Sequence, residues 1–303
     1  MRSFLVRGLW LCAALSVPRG AWAQPNLGHK IPGAVGLDAG TQPEAGVYVA
    51  SRFLYYDAIR VRDRDGARVP IPGFDIDGYA YAFGVAGTVE LESGLLLSFA
   101  AAAPVARLSI ASGDPRAEVD RFGLGDVFVK PLQLGRRWPR ADLLASYAFY
   151  APTRQINRAG LGSPQWSHQL SVGTTLYLDE NRRGRISALF SYDLHQRKLD
   201  VDVTRGDIVQ LQGGVGTTLR KVVEVGIAGY ALWQVTDDRG ADLPAPLRGR
   251  RDRVFGLGPE LNVIIPRTRA KLGIRYLRDF GVQGRPEGQI VVVSLSVLAW
   301  SPS

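Results

Sequence analysis

The feature that most constrains this chain is a two-residue alternation sustained over unusually long segments. In Arg185–Arg197, Ile186, Ala188, Phe190, Tyr192 and Leu194 fall on one side. Arg185, Ser187, Ser191, Asp193, His195 and Arg197 fall on the other. Asp207–Arg220, Val223–Thr236 and Arg253–Ile265 behave in the same way. Successive side chains of a strand point to opposite faces, so each segment predicts a strand with one apolar and one polar face. Strands of soluble sandwiches average roughly 5–6 residues. These run to about 10–14 and match the ~9–11 residues that a tilted strand needs to cross a bilayer.

The links between segments alternate as well. Short turns are expected at Leu91–Ser93, Gly135–Arg140, Glu180–Gly184, Arg220–Lys221 and Pro266–Arg269. Longer links are expected at Arg62–Asp77, Arg107–Gly123, Pro152–Gln165, Lys198–Arg205, Asp237–Asp252 and Val282–Glu287. Six long and five short links, interleaved, separate twelve strands. Short turns at one end and long loops at the other are the pattern of outer-membrane barrels. An even strand number lets the first strand pair with the last and removes the exposed edges. The expected fold over residues 46–303 is therefore all-β, a twelve-stranded antiparallel transmembrane outer-membrane barrel. Tyr55, Tyr56, Tyr79, Tyr81, Phe149, Tyr150, Trp166 and Tyr192 would form an aromatic belt near the long links. Trp138, Tyr177 and Trp300 would form a second belt near the short turns.

Residues 1–23 read as an export signal. Arg2 and Arg7 precede an apolar core, Leu9–Leu15, and Ala21-Trp22-Ala23 supplies a small-x-small cleavage pattern. Cleavage after Ala23 removes three arginines, lowers the formal charge from +9 to +6, and takes away the single cysteine. The mature chain then has no disulfide to rely on. Residues 24–45, rich in Gly and Pro and poor in apolar residues, read as a periplasmic tail or as a segment folded into the lumen.

Lysine or arginine on the lipid face near the midplane costs about 2–4 kcal/mol, so charged residues on the strands are assigned inward. The candidate solute path is Arg52, Lys130, Asp193, Gln210, Gln212, Glu224, Glu260, Asn262 and Arg275, with Glu90, Gln169 and Gln234 beside it. Both signs of charge occur, which leaves a polar bore or one closed by pairing. At the short turns Arg136, Arg137, Arg182, Arg183, Arg220, Lys221, Arg267 and Arg269 form a basic rim. If that end faces the periplasm, the rim suits anionic lipid headgroups.

Enzyme chemistry finds little support. His29, His168 and His195 fit no metal-binding spacing, and no cofactor is expected. His168 and Ser171, three apart on a strand, fall on opposite faces, which disfavours a barrel lipase; His168 reads as a strand histidine without a partner. Asp63-Arg-Asp-Gly66 and Asp75-Ile-Asp-Gly78 lack the twelfth-position acid of a calcium loop and read as turn formers. Basic charge scattered over turns of an exported chain disfavours nucleic acid.

Phe122–Leu134, followed by Ser146-Tyr-Ala-Phe-Tyr-Ala-Pro-Thr153, resembles an outer-membrane family named for the MetA pathway of phenol degradation. Gly229–Gly240, Leu257-Gly-Pro-Glu260, Arg285-Pro-Glu-Gly-Gln289 and the Pro/Gly segment before Gly46-Val47-Tyr48 carry the same resemblance. It implies a barrel transporter encoded among aromatic-degradation functions, and brings no established substrate or catalytic residue. The expectation is a monomeric barrel that passes small organic solutes, aromatic ones among them, passively or by gating. Its partners are outer-membrane lipids and the solutes themselves. The alternatives are a non-conducting structural or adhesive barrel and, last, a barrel lipase.

Overall fold

The structure, a computed structural model, describes residues 32–112, 118–153 and 161–302. The expected export signal and residues 24–31 lie outside the described residues, as do parts of two long links.

Fourteen strands form one sheet: β1 Gly46–Arg62, β2 Arg68–Val69, β3 Asp75–Glu90, β4 Leu95–Ala111, β5 Val119–Leu124, β6 Val127–Trp138, β7 Ala141–Ala151, β8 Ser167–Tyr177, β9 Gly184–His195, β10 Ile208–Leu219, β11 Val223–Gln234, β12 Arg253–Ile265, β13 Ala270–Gln283 and β14 Pro286–Trp300. β2 is a two-residue patch inside the first long link. β5 and β6 share one place in the wall: β5 pairs the outer part of β4 (Val105↔Leu124) and β6 the inner part (Ala102↔Phe128). The result is a twelve-stranded antiparallel barrel, sealed where β1 pairs β14 from Val47↔Trp300 to Val61↔Pro286. Closure is what makes such a wall tolerable in lipid, because no backbone edge is left without a hydrogen-bond partner.

The barrel is inside-out relative to a water-soluble protein. On β8, Ser167, Gln169, Ser171 and Thr175 are buried, while Leu170 and Val172 between them are 53% and 54% exposed. Phe83, Val215, Ile227 and Leu257 are likewise more than half exposed on the outer face. An apolar band of this kind has its lowest free energy against hydrocarbon. Trp138 and Trp300 are exposed near the short turns, as a belt requires, but Tyr177 there is buried and faces inward. Tyr56 likewise packs inside, against the apolar part of the bore. Both share the strand parity of inward residues, which overrides their position along the strand.

The last link departs from expectation. Val282–Glu287 is not a long loop, because β13 runs to Gln283 and β14 starts at Pro286. Gly284 supplies the left-handed φ of +69° that so tight a reversal needs. Arg285, in the turn itself, is buried and donates to Asp252 Oδ2 at 3.1 Å.

The opposite end uses a costlier chemistry. Four non-glycine residues among the described ones have positive φ: Arg182, Arg220, Lys221 and Arg269. All four are basic and lie in short turns. Arg220 and Lys221, with φ of 47° and 62°, are the central pair of a turn closed by Val222 N donating to Leu219 O at 3.1 Å. That is the primed geometry that favours Asn-Gly, and each L-residue held there costs about 1–2 kcal/mol.

Candidate functional site

Alternation along each strand delivers one set of side chains to the bore, and the bore is the candidate site. Its half toward the short turns is polar and occupied. Residues 32–45 run through it before joining the wall at Gly46. Leu37, fully buried, lies against Gly216 and Gly226, where a Cβ would collide with its side chain. Gln42, also fully buried, is held on every side. Its amide N–H donates to Asp142 Oδ2 at 3.2 Å and its side chain to Ser98 Oγ at 3.0 Å. Gln133 donates to its Oε1 at 2.8 Å, and Arg137 to its carbonyl at 2.7 Å.

Two ion-pair groups anchor the rest of the segment. Arg275 donates twice to Glu260, at 2.7 and 2.9 Å, and once to Gly33 O at 2.8 Å. Glu260 also accepts from Leu37 N at 3.0 Å and from Asn262 at 3.1 Å. Asp38 is bonded to Arg185 at 2.9 Å and to Lys271, and both cations also pair with buried Glu224, at 2.7 and 2.5 Å. Buried charges are tolerated only when paired and hydrogen-bonded, and these are. Further bonds run from Val35 N to Gln212 at 3.3 Å, from Ser187 Oγ to Gly36 O at 3.0 Å, and between the Thr41 and Thr175 hydroxyls at 3.0 Å.

Toward the long links one side of the bore turns apolar. Leu54, Ile208, Ala228, Tyr230, Leu232, Val254, Leu277, Val282, Ile290 and Val292 form one buried cluster from β1 and β10–β14. None of these is among the solute-path residues expected from sequence, although Tyr230 shares the strand face of Glu224 and Gln234. The signal was present, since Leu54 lies two residues from Arg52 and Leu277 two from Arg275. Beyond the cluster, Asp252 sits between Arg205 and Arg285, both at 3.1 Å, all three buried.

The candidates named from sequence are distributed as follows. Glu224, Glu260, Asn262, Arg275 and Gln212 meet around residues 32–45. Gln210 is fully buried higher up, and Asp193 accepts from Gln169 at 2.7 Å. Lys130 is half-buried and donates to Gln133 at 2.5 Å; Arg52 is half-buried. Gln234 is buried and donates to Asp238 at 2.7 Å, whereas Glu90 is exposed at the rim. Of the basic rim, Arg137 turns inward to Gln42. Arg182 reaches in to Asp142 at 2.5 Å and lies over the Tyr177 ring at 3.9 Å. Arg136 sits over Trp138 at 5.6 Å, and Arg269 donates to Ser301 at 2.7 Å. Arg183, Arg220, Lys221 and Arg267 are exposed.

His168 has two partners where none was expected. Tyr147 Oη lies 2.7 Å from Nδ1, and Gln196 lies 2.9 Å from Nε2. Ser171 is buried on the opposite face of the strand from His168, so the two cannot share a reaction. Asp63 caps its own turn, accepting from Asp65 N and Ala67 N at 2.9 and 2.8 Å.

Comparison with known proteins agrees with this architecture. The sequence model of the family described as MetA-pathway of phenol degradation matches residues 58–295. The COG4313 outer membrane channel from Pseudomonas putida F1 superposes with a TM-score of 0.75 at 15% identity, covering 88% of this chain and 99% of that one. The beta domain of the Bordetella autotransporter BrkA follows at 0.51 and 12% identity, covering 84% and 99%. The translocator domain of the autotransporter NalP from Neisseria meningitidis gives 0.50 at 11% identity, covering 86% and 91%. No curated protein sequence matches the chain. A channel and two autotransporter domains on one fold mean that the fold by itself does not choose a function.

Proposed function

The chain belongs to the MetA-pathway of phenol degradation family, and from the interior it encloses we propose that it is an outer-membrane channel for small organic solutes, held closed here by residues 32–45. The observation that carries this reading is the way the segment is bound. Besides the packing of Gly33 on Leu277 and Tyr230 and the burial of Leu37 and Ala39, it is held by hydrogen bonds and ion pairs to inward wall residues. A typical internal hydrogen bond contributes only about 1 kcal/mol net, and ordering a residue costs about 1–2 kcal/mol. Such a segment can leave without the wall losing a single ladder bond. The named similarity to an outer membrane channel supports the same reading.

The bore suits an amphipathic solute. The apolar cluster around Leu54, Leu232 and Leu277 would take up a ring or short hydrocarbon, while Gln210, Asp193 and Gln169 offer hydrogen bonds. Passage would proceed by desolvation and hydrogen bonding, with no covalent step.

The test is a reversible staple. Thr41→Cys with Thr175→Cys places two thiols where the hydroxyls now touch. Planar-bilayer conductance and liposome uptake of aromatic acids should be low in the oxidised protein and rise on reduction. Equal flux before and after reduction, with the disulfide verified, would rule out displacement of the segment as the opening event. Absence of flux in every state would leave a non-conducting barrel.

A further inference from the structure

We propose that the short-turn rim carries a binding site for an anionic glycerophospholipid, centred on Arg183, Arg220 and Lys221. Three independent observations converge there.

The first is backbone conformation. Arg220 and Lys221 occupy the two left-handed positions of their turn, where Asn and Gly fit at lower cost. Arg182 and Arg269 repeat the choice in neighbouring short turns. Cations thus stand at all the described left-handed non-glycine positions, and only at this end of the barrel. Turn formation does not explain that choice, but a use for the charge does.

The second is shape. Arg183, Thr217, Thr218, Leu219, Arg220 and Lys221 line an open basin of about 530 Å³. The two turns that flank it are tied together by Thr218 N donating to Arg183 O at 2.9 Å. The three cations make no ion pair among the described residues. The carboxylate of the nearby acid, Asp179, accepts from the Arg183 and Gly184 amides at 3.3 and 3.2 Å.

The third is position. Leu219, Val215 and Ile186 continue outward from the basin as exposed apolar side chains, 49%, 55% and 44% accessible. A ligand seated here has its charged end on guanidinium and ammonium groups and its body on the hydrocarbon-facing wall. That matches a phosphodiester headgroup with its acyl chains, and in barrels of this type the short turns face the periplasmic side. A free phosphate would satisfy the cations but leave the apolar continuation unused.

The test uses the whole mature protein in detergent micelles, titrated with phosphatidylglycerol or phosphatidylcholine, with bound lipid counted by native mass spectrometry. Phosphatidylglycerol should bind in preference. R220N/K221G installs the residues this turn favours, so the barrel should form at least as well, as judged by heat-modifiable gel mobility. It should nevertheless weaken phosphatidylglycerol binding roughly 30-fold. Arg183→Gln, which leaves the turn untouched, should weaken it about fivefold and carries the test if the double variant does not fold. Unchanged binding in a folded variant, or no preference over phosphatidylcholine, would overturn the proposal. Full displacement by millimolar inorganic phosphate would also overturn it, by assigning the site to the free anion.

Discussion

Arg275 grips both carboxylate oxygens of Glu260 and spends its remaining nitrogen on the carbonyl of Gly33. One side chain therefore joins two wall strands and the segment inside them. Replacing Arg275 with Met should free the segment and also strand a buried carboxylate, a change that typically costs about 3–5 kcal/mol. Conductance should rise, and thermal unfolding in detergent should shift downward. The double variant R275M/E260Q removes the stranded charge and should recover much of the stability while remaining leaky.

Leu37 fills space that only glycine leaves open at positions 216 and 226. Leu37→Asp should push the segment out while leaving the wall intact. Limited proteolysis from the short-turn side should then cut within residues 32–45, while the barrel keeps its heat-modifiable mobility. Protection equal to the unsubstituted protein would mean that the segment has another way of docking.

Asp38 titrates outside the strands, facing Lys271, Arg185, Arg275 and Glu224. Burial alone would raise its pKa, but Lys271, with Arg185 and Arg275, holds it below the ordinary 3.8. A depressed docked value means that its contribution is present above the ordinary pKa and is lost as pH falls through the lower, docked one. Closure at this anchor should therefore be flat from pH 8 to about 4.5. Asp38→Asn removes a partner of buried Arg185 and half-buried Lys271 and should raise open probability across that whole range in single-channel recordings.

Leu277 and Val254 put an apolar surface into the outer part of the bore. Leu277→Asn should depress uptake of aromatic solutes more than that of small ions, measured on stapled and reduced protein in liposomes. On the opposite face, Leu170→Arg should destabilise the barrel by about 2–4 kcal/mol in lipid, with no change in solute selectivity.

Strand parity was the legible part. It placed Glu260, Arg275, Glu224 and Asn262 inward and Leu211, Ile227 and Leu257 outward, because one residue of offset reverses every face. The same parity turns Leu54, Val254 and Ile290 inward, but a hydrophobic side chain on a membrane strand does not itself announce a lumenal role as a polar one does. Arg137 and Arg182 were read as rim charges because long side chains can travel from a turn into the bore, and sequence spacing does not tell which way they go. The pairing of Asp38 with Lys271, 233 residues apart, depends on the barrel closing and has no local signature.

The segment inside the bore is continuous with the first wall strand at Gly46. The proposed departure and return of residues 32–45 are therefore unimolecular, because the segment stays tethered to the wall at Gly46. A tether this short keeps the effective concentration in the millimolar range, whatever the abundance of the protein in the membrane. Closing should accordingly follow a single concentration-independent rate, set by how quickly the tethered segment docks again.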